Sequence, residues 1–167
     1  MSEPDELDDV AQLRSVFSNS DAVPGFTARA IDIPGDLRVA WRLAVLCVLL
    51  RRGRSNSLLL EHLHVLWWAV RSEATRSLLT RWVHGESRPD EVLVRFDPSL
   101  TITLDLAIGQ GLVAVQGSGA LKLTSSGLAF AEEVLAAPEV LKAEKAFLSG
   151  LPSRITQRQI QELLEWK

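Results

Sequence analysis

The chain has 167 residues, 47% of them hydrophobic and 23% charged, with a formal net charge of −3. These proportions are those of a globular domain and exclude wholesale disorder and fibrous repeats. The charge excludes a globally basic nucleic-acid binder but leaves room for a local basic face. A single cysteine, Cys47, excludes a disulfide framework and a cysteine-based zinc site.

The N-terminus reads MSEPDELDD, too acidic for a secretory leader or a mitochondrial presequence. The most apolar stretches are residues 39–50, interrupted by Arg42, and residues 58–70, interrupted by Glu61, His62 and His64. Each is shorter than the ~20 residues of a spanning helix, so buried helices and no membrane partner are expected. With one free cysteine and no leader, a cytoplasmic location is expected.

Charge is spread unevenly. Residues 1–28 carry −5, residues 29–88 carry +5 and residues 89–167 carry −3. The middle segment has ten arginines and no lysine. Arginine suits bidentate pairing with phosphate or carboxylate. Arg51, Arg52, Arg54, Arg71, Arg76 and Arg81 are therefore candidates for contact with nucleic acid or an acidic partner. The competing reading is that they solvate apolar helices or pair within the subunit.

In chain order, residues 1–25 read as an acidic, mobile arm; the spacing of Leu7, Val10, Leu13 and Phe17 permits a short helix, but the acidity favours mobility. Residues 26–35 alternate weakly and end at Pro34-Gly35, which predicts a short strand or extended arm and then a turn. Asp36 is placed to cap a helix from Leu37 to Arg52, apolar over so wide a face that burial on several sides is implied. Gly53 stops it. Ser55-Asn56-Ser57 predicts the cap of a second helix over 57–71, and Ser72 or Glu73 opens a third to His84. Residues 85–91 read as a loop.

Val92 to Phe96 has the pattern of a short strand. Asp97-Pro98 then reads as an N-cap followed by proline at the first helical position. The helix runs to Gln110, with Leu100, Leu104, Ala107 and Ile108 as its apolar face. Two apolar strands, 112–116 and 120–124, flank Gly117-Ser118-Gly119 and predict a β-hairpin. Thr124, Ser125 and Ser126 offer caps for a helix to Ala136, and Pro138 reads as the start of another to Ser149. Thr156 to Gln159 forms a capping box before a last helix, Gln157 to Trp166.

This order predicts a mainly α fold with a small β-hairpin wing (α+β): a winged helix-turn-helix core over 26–137, with a C-terminal helical extension over 138–167. Three stretches carry a more particular likeness: RFDPSL from Arg95, LDLAIGQGLV from Leu104, and LKLTSSG from Leu121. With the apolar helix at Trp41 to Leu50 and the Trp67-Trp68 helix, they resemble the winged-helix middle components of bacterial ABC-three-component systems, including Lamassu-like defence systems. The resemblance covers residues 36–137. It implies a non-catalytic accessory subunit that binds an SMC- or ABC-type ATPase beside an effector, often a nuclease, against phage or plasmid DNA.

A reader of DNA presents basic or amide side chains from its recognition helix. The helix from Pro98 to Gln110 has no Lys or Arg and carries Asp105, and the hairpin adds only Lys122. A winged-helix transcriptional regulator acting as a homodimer is thus the second reading, with non-specific contact to DNA backbone through the arginines left open. Tryptophan and arginine are enriched at interface hot spots. Trp67, Trp68, Trp166, Leu163 and Leu164 are accordingly the candidate protein interface. Adjacent Trp67 and Trp68 cannot share a helix face, so one of them is expected at an edge, and the final helix can dock on its own subunit or on a neighbour. Trp41 reads as core.

Nothing in the sequence calls for a cofactor or an enzyme activity. The glycines do not form a phosphate loop. His62 and His64 are two apart and lie on different helix faces. Cys47 sits in an apolar run, where cysteine is an inert hydrophobe.

Overall fold

The computed structural model describes residues 35–88, 92–152 and 155–165. The chain divides at Ile33–Pro34 into two units, and every described residue belongs to the second. The expected acidic arm, the strand before Pro34, and Trp166 lie outside the described residues.

The architecture is mostly helical with one small antiparallel sheet. Helix α1, Gly35–Arg52, is followed by a 3-10 turn at Arg54–Asn56 and by strand β1, Ser57–Leu58. Helices α2, Leu60–Val70, α3, Glu73–Val83, and α4, Pro98–Gly109, come next. The hairpin strands are β2, Val113–Val115, and β3, Leu121–Leu123. Helices α5, Ser125–Ala136, α6, Lys142–Gly150, and α7, Gln157–Glu165, complete the chain. The sheet order is β1-β3-β2, with Val113 opposite Leu123 and Leu58 opposite Leu121.

The first helix is the centre. Seven consecutive residues, Ala44 to Leu50, are buried, so the expected burial on several sides is observed. It packs against α2, α4, α5, β1 and β3. The C-terminal extension does not form a separate body. Ile160 and Leu163 of α7 enter the same core, and α7 packs on α2.

The local signals explain most boundaries. Ser72 and Thr75 make a reciprocal capping box at α3, and Thr156 and Gln159 make another before α7. Asp97 caps α4 with Pro98 at its first position, and the Thr124 hydroxyl caps α5 by accepting from the Gly127 N–H at 3.1 Å. In the hairpin, Gln116 and Gly119 N–H groups close the turn at 2.8 Å each.

Four expectations are corrected. Helix α1 begins at Gly35, so Asp36 lies within its first turn rather than ahead of it. The segment Ser55-Asn56-Ser57 caps no helix. Ser55 and Asn56 have positive φ, Ser57–Leu58 pairs with β3, and α2 starts at Leu60 with no side-chain cap. Residues Val92 to Phe96 are not a strand. Val92 is buried and Leu93 exposed, as alternation requires, but both edges of β3 are already taken by β1 and β2. Finally, Pro138 does not start α6, which begins at Lys142. A turn ending at Leu141, with φ 54, intervenes and buries that leucine.

Gly127 marks the tightest approach between elements. A Cβ there would lie 2.0 Å from the Leu112 carbonyl oxygen, an atom that already accepts from the Thr124 N–H at 3.0 Å. Gly127→Ala must therefore push α5 away from the hairpin, at a cost of about 3 kcal/mol. Urea unfolding reads this directly, and Ser126→Ala, at an exposed neighbour, is expected to stay within about 0.5 kcal/mol of wild type.

Candidate functional site

The six candidate arginines do not form one basic face. The Arg51 Nε donates to Glu132 of α5 at 2.6 Å, and its Nη1 reaches the Asn56 side chain at 3.3 Å. The Arg51 and Glu132 side chains are 42% and 51% exposed, so this ion pair is weak. Arg52 is half-buried and donates to the carbonyls of Leu148, Leu151 and Pro152. These carbonyls lie at and just beyond the end of α6, where a cation is favoured by the helix dipole. Burial lowers the pKa of this guanidinium.

Arg76 does the same for α2, donating to the Val70 carbonyl at 2.8 Å. Arg71 pairs with Asp97 at the start of α4. Arg81 is exposed on α3. Arg54 is exposed and makes no side-chain hydrogen bond or ion pair among the described residues. At least four of the six, Arg51, Arg52, Arg71 and Arg76, thus serve the fold through acceptors in this same chain.

Asp97 is the polar node of the segment. Its carboxylate accepts from the Ser99 N–H at 2.9 Å, from the Ser99 hydroxyl at 2.7 Å, from Arg71 and from the Trp67 indole Nε1 at 3.3 Å. Burial opposes its charge. The Ser99 hydrogen bonds, the Arg71 charge and the Trp67 indole outweigh that, so the carboxyl lies below its ordinary range.

The tryptophans separate. Trp67 is 1% exposed and stacks at a tilt on Trp41, with ring centroids 6.4 Å apart. It presents no surface, because its indole faces the core and its N–H is used by Asp97. Trp68 is half-buried and lines a groove of about 470 Å³ with Arg71, Arg95, Phe96 and Asp97. So one member of the pair sits at an edge, as adjacency on a helix requires. Leu163 is buried and Leu164 packs partly against the core, which places the final helix on its own subunit.

Helix α4 carries the feature that sequence reasoning assigned incompletely. Its inner face is Leu100, Thr103, Leu104 and Ala107. Thr103 is buried in place of the expected Ile108, because its hydroxyl is satisfied by the Ser99 carbonyl at 2.6 Å. Ile108 is instead 40% exposed, and Ile102 is 64% exposed. With Asp105 also outward, the free face of α4 is apolar and acidic. Phe96, 63% exposed, precedes the helix and meets His64 edge-on at 4.5 Å. A run of neutral and apolar residues between two aspartates was the available signal.

Cys47 is fully buried, and burial pushes its thiol up to about 11. Among the described residues, no three His, Cys, Asp or Glu side chains gather as metal ligands, and no helix is long and apolar enough to cross a membrane. No family model matches the chain, and searches of curated proteins and of solved structures find no significant match.

Two outcomes are expected. An aromatic disulfide reagent at pH 8 leaves native Cys47 unmodified and labels it only on unfolding. Asp97 gives stability that is present above the ordinary carboxylate pKa of about 4 and lost as pH falls through its lower folded value. In Asp97→Asn, which keeps a capping side chain but no charge, the acid limb of a stability–pH curve should be shallower than in wild type.

Proposed function

We propose that the described unit is a winged helix and that the chain is a non-catalytic accessory subunit. Its partner is an SMC- or ABC-type ATPase, with an effector nuclease as a further member, in a prokaryotic complex acting against phage or plasmid DNA. The observation that carries this reading is the character of α4. It directly precedes the hairpin of a β1-β3-β2 sheet, the position from which a winged helix offers a helix to its target. Here that helix exposes Ile102, Asp105 and Ile108 and no cation.

Such a face suits a protein and repels a phosphate backbone, whose neutralisation supplies most affinity for DNA. The Trp68–Phe96 groove at the start of the same helix adds an aromatic anchor flanked by Arg71 and Arg95. The arginines that suggested a nucleic-acid face are in large part occupied inside the chain. The likeness of residues 36–137 to the middle components of ABC-three-component systems points to the same class of partner.

Co-expression with the products of the adjacent genes, followed by native mass measurement, tests the proposal. A stable complex with a large ATPase is expected. Ile102→Glu, at an exposed site, should leave unfolding stability within about 0.5 kcal/mol while weakening that complex at least about tenfold. A clean homodimer that ignores the ATPase and binds DNA with a steep salt dependence would overturn the reading in favour of a transcriptional regulator.

A further inference from the structure

The sheet ends at β2, because the order β1-β3-β2 gives that strand a neighbour on one side only. The register fixes which of its backbone groups are spent. Val113 lies opposite Leu123, Ala114 opposite Lys122 and Val115 opposite Leu121. On either side of these pairs the Gln116 N–H donates to the Ala120 carbonyl at 2.8 Å, and the Thr124 N–H donates to the Leu112 carbonyl at 3.0 Å. Hydrogen-bonded and non-hydrogen-bonded pairs alternate along an antiparallel ladder. Leu112, Ala114 and Gln116 therefore turn their N–H and C=O groups toward β3. Val113 and Val115 turn theirs toward the open edge.

An open edge is a template for another strand, and proteins blunt it with charge, proline or a bulge. None of these is present here. From Leu106 to Leu121 the sequence has no Asp, Glu, Lys, Arg or Pro, in a chain that is 23% charged. The pairing with β3 runs on without a bulge. Ala114 and Gln116 are exposed, and Val115 is 59% exposed. The missing charge also selects the occupant. A different protein is steered and held in register by opposite charge, which this edge does not offer. In a two-fold contact each residue beside the axis meets its own copy, so a charge there would repel itself. A neutral edge is self-complementary.

We infer that β2 pairs antiparallel with β2 of a second copy of this chain, extending the sheet to the order β1-β3-β2-β2-β3-β1. The two-fold axis passes beside Ala114. Val113 and Val115 of one copy exchange backbone hydrogen bonds with Val115 and Val113 of the other. Ala114 faces its own copy in the non-hydrogen-bonded position, where Cα atoms approach to about 4.5 Å and a small side chain fits. The contact does not rest on the accessory-subunit reading, and its test uses the chain alone.

Sedimentation equilibrium on the full chain, up to about 500 µM, should show a monomer–dimer equilibrium with a dissociation constant of about 10–100 µM, as suits a small interface. Val115→Pro removes an outward N–H and no bond to β3. It should keep the helical circular dichroism spectrum and weaken the dimer about tenfold or more. Ala114→Lys and Ala114→Glu, at an exposed position, should each be monomeric alone and form a mixed dimer when combined in equal amounts. A monomer throughout the concentration range would overturn the proposal. So would a dimer that Val115→Pro leaves unchanged, or charged variants that fail to pair when combined.

Discussion

Seven buried residues in succession along the first helix leave it no solvent face between Ala44 and Leu50. An amphipathic helix needs cover on one side only; this stretch needs it all round. The surrounding elements are arranged to supply it: α5 on one side, α4 and α2 on others, and the sheet through β3. Each of these packs directly on α1. Packing around a single apolar axis is therefore what makes a short sheet and short helices into one core.

That demand accounts for the arginines at the end of the same helix. Once the apolar residues are enclosed, Arg51 and Arg52 emerge where α5 and α6 finish or pass. Arg52 then meets three carbonyls at and just beyond the end of α6. Arg76 answers the end of α2, and Lys145 answers the end of α5 by donating to the Ala137 carbonyl at 2.6 Å. Cations thus close helix C-termini at three places, and within the apparent basic island Arg52 and Arg76 act as caps while Arg51 and Arg71 pair with carboxylates. What remains outward on the helix before the hairpin is apolar and acidic. That contrast is the basis for proposing a protein target rather than DNA.

Legibility in the sequence followed the range of the forces involved. The stretch from Asp97 to Ala136 was readable nearly to the residue, because its caps and its glycine turn act over two to four positions. β1 was not, since two residues carry no periodicity and their pairing with Leu121 and Lys122 is distant in the chain. Residues Val92 to Phe96 misled for the converse reason. Alternation reports which side is buried, whereas a strand also requires a neighbour with free backbone groups. The duties of Arg52 and Arg76 were hidden because their acceptors are main-chain oxygens, which no side-chain pattern announces. Trp67 and Trp68 were half legible: adjacency on a helix separates them, but only packing decides which one turns inward.

The order of synthesis gives the central helix a further consequence. Its extensive partner α5 ends at Ala136, so the ribosome must add more than 80 residues after Arg52 before that cover exists. At ordinary elongation rates this is roughly 5–15 s, during which the most apolar segment of the described unit has only β1, α2 and later α4 and β3 to cover it. Folding of the nascent chain is thereby tied to completion of the hairpin and the helix behind it. A chain ended within the hairpin would leave the side of this axis that α5 covers exposed, a substrate for chaperones and proteases rather than a smaller folded domain.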